Sequence, residues 1–228
     1  MTNSANTSFF FSPWQKGCNY LTFYAEKRKA TFIKQGEIIM SKNLMQMRQR
    51  LKELLLKKSY RKGMIKLTSG KVSDFYIDGK QTTLDAEGAY LCGKLLYGLI
   101  CSHGGKIDGV GGMTLGADPL VTAVSIVSYL EGGPLPAFIV RKEPKSHGTE
   151  NYIEGKENLA AGARVALLED VVTTGGTLLQ VIERVQSQGF EVGLVATVVD
   201  RQEGGVEALA AKGYKLLSVF TREELLAP

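Results

Sequence analysis

The sequence predicts an α/β fold: a mostly parallel central sheet with helices on both faces, carrying a small N-terminal hood. Three observations point there. Short apolar runs alternate with stretches of helical periodicity through most of the chain. One such run, Val165 to Leu168, is apolar at every position, as a strand covered on both faces should be. The stretch that follows repeats apolar residues at Leu178, Val181, Ile182 and Val185, the i, i+3, i+4, i+7 spacing of one helical face.

The chain has 228 residues, enough for one domain with a full core. No apolar run approaches the ~18 residues of a membrane span. Cys18, Cys92 and Cys101 show neither CxxC pairing nor histidines at zinc spacing, so they read as thiols in a reducing compartment. With only His103 and His147, a multi-histidine metal site is excluded as a basis for function. The net charge is +5, but residues 1–40 hold five Lys/Arg against two acids, leaving 23 basic and 21 acidic residues in the rest. The folded part is nearly neutral, which is no footprint for nucleic acid.

Residues 1–40 mix Asn, Ser and Thr with scattered aromatics and show no clean period. They lack the apolar core of a secretory signal. A disordered tail, a start codon upstream of a true start at Met40, and a transit peptide all fit, the last because the first acid is Glu26. The chain therefore divides into an extension, 1–40, poorly ordered or outside the core, and a single domain, 41–228. Leu44, Met47, Leu51, Leu54 and Leu55 then share one face of a helix reaching about Lys58. Ser69-Gly70-Lys71 separates two short extended runs and predicts a hairpin, with Phe75 and Tyr76 on its second strand. Ala86 to about Ile100 is a second helix. The glycine-rich Gly111 to Pro119 reads as a loop before a helix from Pro119 to about Leu130.

Pro136 to Val140 predicts a strand. Directly after it, Arg141, Lys142, Lys145 and His147 crowd into a stretch that also holds Pro144 and Gly148, so the segment reads as a loop. It is either a solvated charged loop or an anion site. After Val165–Leu168 come Glu169 and Asp170, then Val171, Val172, Thr173, Thr174, Gly175, Gly176 and Thr177, then the helix. Backbone N–H groups at a helix N-terminus bind phosphate, glycines let the backbone approach it, hydroxyls add donors, and the carboxylates can accept from sugar hydroxyls. Gly193 to Val199 is a further strand ending at Asp200-Arg201-Gln202-Glu203, where Arg201 either salt-bridges a neighbouring acid or presents a guanidinium fork to a carboxylate. A short helix from Val206, a strand from Tyr214 to Phe220 and a terminal helix from Thr221 complete the order.

Val165 to Thr177 resembles the phosphoribosyl diphosphate (PRPP) signature of type I phosphoribosyltransferases. Together with the Phe75-Tyr76 hood, the Arg141-Lys142…Lys145…His147 loop and the Asp200-Arg201-Gln202-Glu203 segment, it makes residues 44–225 similar to the orotate phosphoribosyltransferases. The resemblance implies the type I phosphoribosyltransferase fold. It also implies transfer of the 5-phosphoribosyl group from PRPP to orotate, giving orotidine 5′-phosphate and diphosphate in pyrimidine biosynthesis. PRPP would be bound by Arg141, Lys142, Lys145, His147, Glu169, Asp170 and Val171 to Thr177. Orotate would meet Phe75, Tyr76, Thr173 and Arg201, and Lys145 and His147 would be catalytic at the leaving diphosphate. Mg²⁺ is implied as cofactor, held by substrate and water with no protein ligand named. A homodimer sharing the loop of residues 141–150 across subunits is implied too, cytoplasmic, with organelle targeting by residues 1–40 as the alternative; neither nucleic acid nor membrane is an expected partner. Thr68 stands where some relatives have lysine, and Leu115-Gly116 where some have Tyr-Lys. Two competing readings are a phosphoribosyltransferase for uracil or a purine, and a PRPP-sensing regulator that binds nucleic acid.

Overall fold

The computed structural model describes residues 31–34, 37–40, 42–66, 72–144 and 152–227. Strands β1 (Thr31–Lys34) and β2 (Glu37–Met40) pair antiparallel. They lie inside the extension that the sequence sets apart, with β1 near the later helix of residues 86–102 and β2 near the helix that follows it. Helix α1 (Lys42–Leu54) runs into one π-helical turn, Leu55–Ser59, so its apolar stripe extends through Leu54 and Leu55 into the core. Strands β3 (Tyr60–Lys66) and β4 (Val72–Ile77) form the antiparallel hood ribbon. The turn expected at Ser69-Gly70-Lys71, and Thr68, lie outside the described residues.

Helix α2 (Lys80–Thr83) is a single turn. Helix α3 (Ala86–Ser102) starts where the Asp85 side chain accepts a hydrogen bond from the Gly88 N–H, an N-cap that satisfies one orphan donor. Strand β5 (Gly109–Met113) leads to α4 (Asp118–Leu130), with proline in its first turn. Then come β6 (Ala137–Val140), the short β7 (Ile153–Glu154), β8 (Arg164–Val172), α5 (Gly176–Ser187), β9 (Glu191–Asp200), α6 (Gly205–Ala210), β10 (Leu216–Thr221) and α7 (Arg222–Leu226). Thr221 and Glu224 form a reciprocal capping box at the start of α7.

The expected α/β class is found. The main sheet has six strands in the order β10-β9-β8-β5-β6-β7, all parallel except β7. Its two faces carry separate cores. Ala166 and Leu168 of β8 pack with Leu51, Leu95, Leu120 and Val124 under α1, α3 and α4. Val165 and Leu167 pack with Leu178, Val181 and Val185 of α5. Period-two alternation between two buried faces is why this run is apolar without interruption.

Two boundaries differ from the sequence reading. Gly111 and Gly112 belong to β5, not to the loop: a side chain at Gly112 would meet the Leu168 carbonyl at 2.3 Å, so these glycines serve close packing within the sheet. The acids do not follow the strand either. Glu169 and Asp170 lie within β8, where Glu169 stands opposite Thr197 of β9.

The strand order places the site. From β5 the chain steps to β6 on one side and then returns to β8 on the other, so β5 and β8 are neighbours whose connections depart in opposite directions. The crevice beyond the carboxyl ends of two such strands is where open α/β sheets bind ligands. Residues 114–117 after β5 and 173–175 after β8 form its rim.

Candidate active site

Glu169 and Asp170 sit at this crevice and are buried, at 7 % and 8 % exposure. Asp170 Oδ1 accepts from the Val171 N–H at 2.9 Å, while Glu169 Oε2 has no hydrogen-bond partner. Burial pushes the Glu169 carboxyl well above its usual range, and the adjacent Asp170 carboxylate adds to the shift. Two segments close over the pair. A Cβ on Gly116 would lie 2.7 Å from Glu169 Oε1 and 2.9 Å from Asp170 Oδ1, and a Cβ on Gly79 would lie 2.6 Å from Asp170 Oδ2. Only glycine lets the rim loop and the hood approach the acids so closely.

Beyond the acids, Val172 ends the strand and Thr173 and Thr174 make the turn. Gly175 caps α5 with φ 79°, a left-handed conformation that glycine adopts without strain. Thr174, Gly176 and Thr177 are exposed, so the free N–H groups and positive dipole end of a twelve-residue helix face outward with two hydroxyls beside them. An anionic group fits there.

Arg201 is tied to the same turn, since its backbone N–H donates to the Val172 carbonyl at 2.9 Å. The structure thus brings Thr173 and Arg201 together. Arg201 is only 2 % exposed. One guanidinium nitrogen lies 2.6 Å from Glu203 Oε1, and Cζ stands 4.4 Å from the centre of the Phe75 ring. Arg222 approaches that ring at the same distance, and Tyr60 stacks on it. Phe75 and Tyr76, adjacent on β4, do not share a face: Phe75 is buried toward Arg201, whereas Tyr76 is half-buried and close enough to Lys80 to bear on its charge.

Of the expected anion-binding loop, only its first four residues are described. Arg141 forms an ion pair with Glu154 at 2.9 Å, and Lys142 is exposed. Lys145 and His147 lie outside the described residues. Sequence reading missed two cations here. Lys80 Nζ pairs with Asp78 Oδ1 at 3.0 Å. Its pKa is raised, first by that hydrogen bond and then, against partial burial, by Asp170. Arg184 of α5 donates to the Arg141 carbonyl at 2.7 Å and lies 4.5 Å over the Tyr152 ring. The Asp-x-Lys spacing from 78 to 80 was the available signal for the first; nothing local marks the second.

Comparison with known proteins agrees with this geometry. A phosphoribosyl transferase domain model matches residues 81–218. The orotate phosphoribosyltransferase of Nostoc sp. is 47% identical over 179 residues, 78% of this chain and 85% of the relative. Among solved structures, the orotate phosphoribosyltransferase of Mycobacterium tuberculosis with Fe(III) dicitrate aligns at TM-score 0.69 and 40% identity, over 79% of this chain and 99% of that one. The same M. tuberculosis protein solved with PRPP aligns at TM-score 0.65 and 37% identity, over 78% and 98%. The chain belongs to the phosphoribosyltransferase family and, within it, to the orotate phosphoribosyltransferases.

Proposed function

We propose that the crevice between β5 and β8 is where this enzyme transfers the 5-phosphoribosyl group of PRPP to orotate, giving orotidine 5′-phosphate and diphosphate for pyrimidine nucleotide synthesis. The observation that carries the placement is the hydrogen bond from the Arg201 backbone N–H to the Val172 carbonyl, which sets Arg201 beside the strand end that leads into the turn and N-terminus of α5. One backbone hydrogen bond joins a base anchor to a sugar-phosphate site.

The 5′-phosphate lies on Thr173 to Thr177, over the N-terminus of α5. Glu169 and Asp170 accept from the ribose hydroxyls. The bond from ribose C1 to the diphosphate oxygen breaks with its electron pair leaving on the diphosphate. The lone pair of N1 of orotate, which needs no strong base to lose its proton, makes the new bond to C1. Charge grows on the leaving diphosphate as this happens, and Arg141, Lys142, Lys145 and His147 neutralise it. Orotate stacks near the hood, and its carboxylate takes the Arg201 fork in exchange for Glu203. The chemistry is positioning and electrostatics.

Mg²⁺ fits this donor set. The acid pair offers one buried carboxyl oxygen, Glu169 Oε2, without a partner, which suits an ion that keeps its waters and takes most of its ligands from substrate oxygens. When bound, it offsets diphosphate charge. A homodimer that shares the residue 141–150 loop, and a cytoplasmic location, complete the proposal; no helix among the described residues is long and apolar enough to cross a membrane.

Absorbance-monitored consumption of orotate by the purified protein tests the reading, with PRPP and Mg²⁺ each omitted in turn. Consumption requiring all three is expected. One observation favours a second reading, a base without a carboxylate: Arg201 already has Glu203 as an ion-pair partner. Competition among orotate, uracil, adenine and hypoxanthine separates the two, and turnover of only another base would overturn orotate.

A further inference from the structure

We infer that Lys80 is a substrate-binding residue, whose ammonium takes an oxygen of the sugar diphosphate where that group borders the ribose held by Glu169 and Asp170. The inference rests on the phosphoribosyl-transfer reading of the crevice.

Placement comes first. Lys80 follows Gly79, whose backbone is so near Asp170 that a Cβ there would lie 2.6 Å from Oδ2. Gly116 approaches the same carboxylate from the rim loop, at 2.9 Å by the same measure. Hood and rim therefore meet over the acid pair, and Lys80 stands at the seam. Tyr76, on the opposite face of β4 from the buried Phe75, is near enough to bear on the Lys80 charge.

The ammonium is held but not used up. Asp78 Oδ1 accepts from Lys80 Nζ at 3.0 Å and from the Lys80 backbone N–H at 3.2 Å, and Gln81 Nε2 donates to Asp78 Oδ2 at 3.2 Å. Asp78 is thus oriented by its own neighbours, and it keeps Lys80 charged and aimed. The lysine side chain is 43% exposed, and an ammonium has three donors, so further acceptors can be taken from solvent. An ion pair this exposed adds little to stability, so its geometry is poorly explained as a structural tie.

The third argument is charge. Residues 114–117 and 173–177, which rim the crevice, contain neither Lys nor Arg. Backbone N–H groups and hydroxyls orient an anion without offsetting its full charge. PRPP brings a phosphate and a diphosphate next to two carboxyls, so a fixed cation near the acids strengthens binding. The rim loop has Gly116 where it closes on the acids, so a cation must come from elsewhere, and Lys80 stands beside Gly79, whose backbone closes on Asp170 from the hood.

Isothermal titration of PRPP with Mg²⁺, without orotate, tests the inference in wild type, Lys80→Met and Lys80→Arg. Loss of one charge-assisted hydrogen bond predicts about tenfold or weaker PRPP binding for Lys80→Met. Lys80→Arg should stay within about threefold of wild type, because it keeps the charge. Thermal unfolding of Lys80→Met should match wild type, so that any loss of binding is read on an equally folded protein. Binding of PRPP by folded Lys80→Met within about twofold of wild type would overturn the inference and leave the phosphoribosyl reading standing. Should Lys80→Met not fold, acetylation of wild type read by mass spectrometry decides: PRPP should protect Lys80, and unchanged labelling of Lys80 under saturating PRPP would overturn the proposal. Wild type that binds no PRPP would overturn both the inference and the reading beneath it.

Discussion

Arg201 Cζ lies 4.4 Å from the centre of the Phe75 ring while its terminal nitrogen pairs with Glu203 at 2.6 Å. The contact joins the hood to the carboxyl end of β9 and, with the Glu203 pair, holds a buried guanidinium in place. A lysine cannot reproduce the stacking or the bidentate fork. Arg201→Lys is therefore expected to raise KM for orotate by about tenfold or more, ~1.4 kcal/mol, with PRPP binding unchanged. Steady-state kinetics with each substrate varied separately checks it. An equal loss for both substrates would mean that Arg201 shapes the whole crevice and does not select the base.

Glu169 carries a stability cost that depends on pH. Its carboxyl ordinarily titrates near 4.5, and burial beside Asp170 raises it well above that. Between the ordinary value and the raised one, the folded chain holds a proton that the unfolded chain has released. Stability therefore falls as pH rises through this window. Glu169→Gln removes the titration. The variant should melt higher than wild type at about pH 8 and show no such gain at about pH 4. Its kcat/KM should fall at least about tenfold, because an amide replaces a carboxylate at the ribose hydroxyls. A melting difference independent of pH would show that the carboxyl is not titrating in the fold.

The parts of the crevice differ in how they are written in the sequence. The acid pair and the hydroxyl turn were legible because they are consecutive: one strand end and one helix start supply every group from Glu169 to Thr177. The fold class was legible because each β8-like run had to be apolar on both faces. Lys80 was not, since its meaning depends on Asp170, brought near only when the hood folds over the sheet. Gly112 read as loop because composition cannot tell a turn glycine from one that lets Ala117 and the Leu168 carbonyl approach a strand. The β1-β2 ribbon escaped notice because four-residue strands show too little alternation to register.

Lys145 belongs to the cationic segment that follows β6. Lys145→Ala is expected to lower kcat by about tenfold or more, ~1.4 kcal/mol, since leaving diphosphate would lose one neutralising charge in the transition state. KM for orotate should change little. Single-turnover measurement at saturating PRPP and orotate isolates the chemical step, and an unchanged rate would remove Lys145 from the mechanism.

Arg184 ties together the two ends from which that segment departs. Its Nη1 donates to the Arg141 carbonyl at 2.7 Å and its guanidinium covers the Tyr152 ring at 4.5 Å. Arg141 N–H in turn donates to the Tyr152 carbonyl at 2.8 Å, and Arg141 pairs with Glu154. One side chain on α5, a helix whose start is the phosphate turn, therefore fixes the base of the cationic segment relative to the phosphate site. Arg184 touches no reacting atom in this arrangement and is a positioning residue. Arg184→Met keeps the stem and loses both contacts; kcat should fall about tenfold while PRPP binding measured without orotate stays near wild type. Arg184→Lys should recover part of kcat, because an ammonium can still reach the Arg141 carbonyl but cannot stack as a guanidinium does. If Arg184→Met instead weakened PRPP binding and kcat in step, the arginine would be supporting α5 and its phosphate turn, and the loop base would have no separate hold on catalysis.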